Sequence, residues 1–292
     1  MPILPTRRLF LLGLLLLLLA GCDVADGAPT PRPARPIPTL FPTAAPAPLE
    51  TTPAPPAQAT AAPDTGWQPG GAGIEERRLQ IAVDPARPPI PLVIVRLDPG
   101  SVRLRVAYAP DQPRPLRNWF AGGRALAAIN GSFFDQQNRA TALLVSDGAA
   151  SGASYEGFGG MLAVAPEGGV ALRPLRDQPY DPAEPLAQAL QSFPMLVFPG
   201  GAPAEIEDDG QRARRTAIAL DRSGRLLLIV SPAGGFTLRG LADWLSQSDL
   251  DVDRALNLDG GSSTGLFLRA GGLREEIDSF GPLPIVLLVE AK

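Results

Sequence analysis

The stretch Ala255-Leu256-Asn257-Leu258-Asp259-Gly260-Gly261-Ser262-Ser263-Thr264 decides how the rest of the chain is read. Leu256 and Leu258 alternate with Asn257 and Asp259, so a short strand packs apolar residues on one face and carries an amide and a carboxylate on the other. Two glycines follow, and glycine adopts backbone angles that other residues avoid. Successive N–H groups in such a turn can converge on an anion, and three hydroxyls stand beside them. Two readings are open. Asp-Gly between apolar runs signals a hairpin, with residues 265–268 as the return strand. A carboxylate next to an anion cradle signals a functional site. A turn and a site can coincide.

Outward from this stretch the strand signals are dense. Residues 79–84, 92–97 and 102–108 are short apolar or alternating runs with turn residues between them. Residues 124–129 read as a buried strand ending at Asn130, and 141–146, 161–165 and 170–173 as further strands. Residues 182–191 are expected to be helical, followed by an apolar stretch at 193–198. Residues 215–221 and 225–231 form a hairpin across Arg222-Ser223-Gly224. Thr237 is the expected N-cap of a helix through Leu245, with Leu238, Leu241, Ala242 and Leu245 at helical spacing. Residues 285–289 are a last buried strand. Many strands and two helices predict a single α+β domain around a mixed, mainly antiparallel sheet with a few flanking helices.

The N-terminus differs in kind. Arg7 and Arg8 precede twelve apolar residues, 9–20, too few to span a bilayer but enough for a signal-peptide core. The run ends in Leu19-Ala20-Gly21-Cys22, which resembles a bacterial lipobox, and Cys22 is the only cysteine in the chain. An ordinary cleaved signal peptide with an incidental cysteine is the alternative. Residues 28–64 hold twelve of the 34 prolines with few large apolar side chains, too little to offset the ordering entropy. The expected organisation is a lipoprotein signal at 1–22, a Pro/Ala/Thr-rich tether at 23–72 and one folded domain at 73–292. Extended, such a tether reaches on the order of 100 Å and lifts the domain off a membrane to which a lipid on Cys22 holds it. The expected location is extracytoplasmic. The formal charge of −4 and the lack of a long basic run exclude nucleic acid as an expected partner.

The chain contains no histidine, which removes Ser-His-Asp and Cys-His catalysis and histidine-ligated zinc. Carboxylates, hydroxyls, amides and arginines remain. No cofactor is required, and the metal compatible with these donors is an oxygen-ligated Ca²⁺ or Mg²⁺. Carboxylate chemistry of this kind suits glycosyl transfer through an oxocarbenium-like transition state. Three further segments stand out. Asn130-Gly131-Ser132-Phe133-Phe134-Asp135 places aromatics and a carboxylate after a buried strand, suited to a sugar ring or to an Asn-Gly turn over core phenylalanines. Arg215 shares a strand face with Ala217 and Ala219, which leaves room to reach a cleft or to stay solvated. Gly234-Gly235-Phe236-Thr237 opens a helix N-terminus, read as a cap or an anion site.

The segments "AAINGSFF", "RRTAIALD", "GFTLRGLADWL" and "ALNLDGGSST" occur in the order and approximate spacing of the phosphodiester glycosidase family, which this chain resembles from about residue 79 to 289. The resemblance implies site roles for Asn130, Gly131, Arg215, Thr216, Asn257, Asp259, Gly260, Gly261, Ser262 and Ser263. It departs from the family pattern at Ser262, where a third glycine is usual, and at Ala219, where the arginine motif often ends in glycine. The implied activity is hydrolysis of a sugar-phosphate diester in an envelope or extracellular glycan. Asp259 is the expected main carboxylate, Arg215 and the 260–263 backbone the phosphate clamp, and Asp135 a second carboxylate if one is required. Asn130 and Asn257 would position sugar hydroxyls or a metal-bound water. The alternatives are a non-catalytic module that binds envelope polysaccharide in the same cleft, or an envelope assembly protein.

Overall fold

The structure, a computed structural model, describes residues 63–121 and 123–292. The signal segment, Cys22 and most of the tether lie outside the described residues. In chain order the elements begin with β1 (Gln68–Gly71), β2 (Ile74–Ile81), β3 (Ile90–Leu97), β4 (Val102–Tyr108), α1 (Leu116–Ala121), β5 (Ala125–Asn130) and β6 (Leu144–Ser146). They continue with β7 (Ala149–Ser151), β8 (Gly160–Val164), β9 (Val170–Pro174), β10 (Gln188–Ser192), β11 (Met195–Phe198), β12 (Ala202–Pro203) and β13 (Ala213–Asp221). The last are β14 (Leu226–Phe236), α2 (Leu238–Gln247), β15 (Val252–Asn257), a 3₁₀ turn (Gly261–Ser263), β16 (Leu266–Ala270), β17 (Leu273–Ile277) and β18 (Ile285–Ala291).

The fold is α+β and dominated by antiparallel sheets with flanking helices. The strands form three sheets rather than the single one expected. The largest runs β1-β2-β3-β14-β13-β15-β11-β12, a second runs β17-β16-β5-β18-β4, and a third runs β7-β6-β10-β8-β9. Alternation explains their stacking. On β13, Ile218 joins the main apolar core together with Ile129, Leu256, Leu258 and Leu287, so the two larger sheets share that core. Ala217 and Ala219 face the other way, against Leu241, Ala242 and Leu245 of α2. Leu116, Trp119 and Phe120 of α1 cover the outer side of the second sheet at Ala107, Ala128 and Leu288. Thr237 caps α2 as expected, its Oγ1 accepting the Gly240 N–H at 3.0 Å.

Three expectations are corrected. The helix expected at 182–191 is absent: residues 182–187 are turns and loop, and 188–192 are strand β10, all five buried between β6 and β8, where burial on both faces overrides helix propensity. Helix α1 is too short to show a period and carries no such signal. The sheet also begins before residue 73. Asp64 accepts from Arg77 Nε at 2.9 Å and Nη2 at 2.7 Å, and the Arg96 guanidinium lies 3.7 Å over the Trp67 ring. These contacts fix the last part of the expected tether against β2.

Candidate active site

The stretch 255–264 is not a hairpin. β15 belongs to the largest sheet and pairs with β13 and β11, whereas β16 pairs with β5 and β17 in the second sheet. The Asp-Gly-Gly turn therefore carries the chain from one sheet to the other. Leu258 N–H donates to the Thr216 carbonyl at 2.9 Å, which extends the β13–β15 ladder past Asn257. At the next residue the partner changes sheet. Asp259 N–H donates to the Gly131 carbonyl at 3.2 Å, and its carbonyl accepts from Asn130 Nδ2 at 2.7 Å.

Asn130 and Thr216 lock this crossing from inside. Thr216 Oγ1 donates to Asn130 Oδ1 at 2.8 Å and stands 3.2 Å from Thr264 Oγ1. Gly265 N–H donates to the same Asn130 oxygen at 3.1 Å. Both residues are fully buried. The Asn130 amide is thus occupied within the protein and positions the loop rather than a sugar hydroxyl or a metal-bound water. Gly131 is required by close approach: a Cβ there would lie 2.5 Å from Ile285 Cγ2.

Asp259 sits at the crossing itself. Its Oδ1 accepts the Gly260 N–H at 2.9 Å, and the Ser263 hydroxyl lies beside its carboxylate. Burial raises its pKa above the ordinary carboxylate value, and those two donors offset part of the rise. Among the described residues no arginine or lysine forms an ion pair with it. Gly260 cannot bear a side chain, since its Cβ would meet the Arg214 carbonyl at 2.9 Å. Gly261 has φ +58 and nothing within 4 Å of a Cβ, so this backbone faces open space. Ser263 is buried, whereas Ser262 is exposed and its carbonyl accepts the Phe280 N–H at 2.8 Å.

Two arginines leave β13 on opposite faces. Arg215 emerges on the α2 side, the side that Asn257 shares through its register with Ala217. Its Nε donates to the Phe236 carbonyl at 3.1 Å and its Nη2 to the Gln211 carbonyl at 2.7 Å. Arg214 lies on the Thr216 side. It donates to the carbonyls of Pro232 at 3.0 Å and Asp278 at 3.1 Å, and its guanidinium is 3.9 Å from the exposed Phe280 ring. Burial lowers both arginine pKa values, partly offset by Asp278 at Arg214 and by Asp209 at Arg215. Sequence reading singled out Arg215 and passed over Arg214, although its alternation with Thr216 was a signal.

Buried polar atoms without a partner collect on the same segments. Among the described residues they include Ser132 Oγ, Ser192 Oγ, Arg214 Nη1 and Asn257 Oδ1. Such groups are rare in folded proteins. Asn257 Nδ2 donates to the Phe193 carbonyl at 2.9 Å and its N–H to the Pro194 carbonyl at 3.0 Å. Phe193 in turn lies 4.8 Å from Phe133 and 5.7 Å from Tyr155, ring to ring. This aromatic group was only half legible, because Tyr155 and Phe193 lie far from Phe133 in the chain.

Asp135 takes no part in this arrangement of hydrogen bonds. It is exposed and caps its own turn, accepting the N–H groups of Gln137 at 2.9 Å and Arg139 at 2.8 Å. Its carboxylate makes an Asx-type turn. Among the described residues no three His, Cys, Asp or Glu side chains gather as a metal centre would need. No helix among them is long and apolar enough to cross a membrane.

A Gly-rich acidic turn thus crosses between the two larger sheets, held by buried amide and hydroxyl groups. Residues 123–289 match the family described as phosphodiester glycosidase, and the chain belongs to that family. No curated protein matches the sequence. Solved structures share the fold. The catalytic domain of zebrafish N-acetylglucosamine-1-phosphodiester alpha-N-acetylglucosaminidase, auto-inhibited by its pro-peptide, aligns at TM-score 0.60 and 18% identity, over 75% of this chain and 84% of that one. A hypothetical protein from Synechocystis aligns at TM-score 0.50 and 19% identity, over 75% and 62%. A putative exported protein of Burkholderia pseudomallei aligns at TM-score 0.50 and 14% identity, over 69% and 74%.

Proposed function

We propose that this protein hydrolyses a glycosyl-1-phosphodiester in an envelope or extracellular glycan, as an extracytoplasmic lipoprotein held to the membrane through Cys22. The observation that carries the reading is Asp259. It is a largely buried carboxylate that pairs with no arginine or lysine among the described residues, set at the sheet crossing two residues past Asn257, whose Oδ1 has no partner. In the reaction water adds its oxygen to the anomeric carbon as the bond to the phosphate oxygen breaks. The phosphate monoester leaves with the electron pair. Asp259 stabilises the positive charge developing on the sugar and accepts the proton of the attacking water. Arg215 and the open backbone at Gly261 and Ser262 hold the phosphate, while Gly260 N–H is taken up by Asp259. A phosphate leaves without the protonation an alcohol needs, which fits the surface turn role of Asp135.

The test is turnover of a chromogenic sugar-phosphate diester by the full chain. Release of the free sugar supports the reading, and a folded protein that releases none overturns it. One observation favours a second reading, a non-catalytic polysaccharide-binding module: the partly exposed aromatic rings of Phe158 and Phe193 beside the site. Glycan binding without turnover selects that alternative.

A further inference from the structure

A cleft of about 730 Å³ adjoins the crossing on the side of Asn257, lined among others by Phe158, Pro194, Phe198, Arg176 and Glu205. Its volume is that of a small-molecule site rather than of a packing gap. Phe158 is 50% exposed and Phe193 40%, unusual for rings of this size. Phe158 stacks on Tyr155 at 4.6 Å and meets Phe193 edge-on at 6.0 Å, so the rings are braced as a shelf. Arg176 and Glu205 supply the polar side chains of the lining. Arg176 lies 4.8 Å over the Phe198 ring and is paired with Asp177 at 2.9 Å. With Arg176 already neutralised and Glu205 the one anion lining the cleft, there is no excess charge to attract a polyanion.

Position completes the argument. Pro194, a wall of the cleft, accepts the Asn257 N–H, and Phe193 accepts the Asn257 side-chain amide, two residues before Asp259. The cleft wall at Pro194 is therefore bonded directly to the strand that leads into the crossing. A sugar ring presents an apolar C–H face to an aromatic ring and hydroxyls to a polar rim, and this lining offers both. We infer that the cleft binds neutral sugar rings adjoining the scissile diester, so that the substrate is an oligosaccharide or polysaccharide rather than a single sugar phosphate. This inference deepens the proposed hydrolysis and rests on it for the order of the groups, but the binding it requires is measurable without turnover.

The test uses the full chain in detergent and Phe158→Ala, with Phe158→Trp as the variant that keeps a platform. The substrates are an aryl diester of a sugar phosphate and a diester of the same sugar phosphate with a neutral tetrasaccharide. The expected result for Phe158→Ala is an unchanged kcat/KM on the aryl diester and an about ten-fold higher KM on the tetrasaccharide diester, with Trp restoring it. Equal losses on both substrates, or no loss on either, overturn the inference. If the wild type turns over neither diester, calorimetric titration with gluco-, manno- and N-acetylgluco-configured tetrasaccharides decides. Saturable binding that weakens about ten-fold in Phe158→Ala sustains the cleft assignment while the hydrolase reading fails. A folded wild type that binds none of them overturns it.

Discussion

Thr216 Oγ1 donates to Asn130 Oδ1 at 2.8 Å in the closed interior, and this one bond ties the end of a strand in the largest sheet to the end of a strand in the second. The crossing turn is built on it, since Asn130 Nδ2 holds the Asp259 carbonyl. Thr216→Val keeps the shape and deletes the hydroxyl. The change leaves Asn130 Oδ1 with the Gly265 N–H alone and costs about 1–3 kcal/mol, read as a lower midpoint in urea unfolding.

Asp259→Asn separates charge from shape. The rate on a sugar-phosphate diester is expected to fall by on the order of 10²-fold or more, the scale of losing one electrostatic group aimed at a transition state. The melting temperature at neutral pH should hold or rise, because a buried charge without a cation is removed. A folded variant with the wild-type kcat would end the catalytic assignment.

The same carboxylate sets a pH limit. Its pKa is raised in the folded state, so it takes up a proton at a higher pH than an exposed aspartate does. The charged form that the proposed reaction uses is lost correspondingly early as pH falls. The acid limb of kcat/KM should therefore lie above the ordinary aspartate range, and a limb at or below that range argues for another group.

The two arginines of β13 should respond differently to lysine. Arg215→Lys keeps the charge and loses the planar fork, so kcat/KM on the diester falls more than the loss of its bonds to the Phe236 and Gln211 carbonyls lowers the melt. Arg214→Lys loses two carbonyl bonds and the stack on Phe280, so the melt falls first. Measuring both quantities for both variants checks the assignment, and the reverse pattern would move the phosphate to Arg214.

Far from the crossing, Glu76 on β2 is buried beside Glu275 on β17. Burial and the neighbouring carboxylate push its pKa up to about 7, with Arg78 opposing. A raised carboxylate contributes stability below its unfolded value and loses it as pH rises through about 7. Thermal melts should therefore decline from about pH 5 to pH 7 and level off above it, and Glu76→Gln should flatten that decline.

Cys22→Ser tests the anchor, which lies outside the described residues. The substituted chain should leave the membrane fraction after a carbonate wash, and retention there would remove the basis of the lipoprotein reading.

The sequence by itself settled those features that depend on local pattern. Alternation of apolar residues placed most strands, the Thr237 cap and its apolar stripe placed α2, and four spaced motifs identified the family. Asp259 and Asn130 were legible for the same reason, each being a polar residue at or just past the end of an apolar strand run, whereas Thr216 was marked only by the family resemblance. What only the tertiary structure decided is which strand ends meet. Asp-Gly between apolar runs is compatible with a hairpin and with a crossover, because the turn chemistry is alike and the choice rests on whether β16 finds β15 or β5 as a partner. Burial likewise turned 188–192 into a strand. It also showed that the Asn130 amide is occupied within the protein and that Asp135 closes a surface turn. Hydrogen-bond partners in this fold are distant in sequence, 86 residues apart for Thr216 and Asn130. A local pattern shows which groups need partners, and only the packed sheets decide which partners they find.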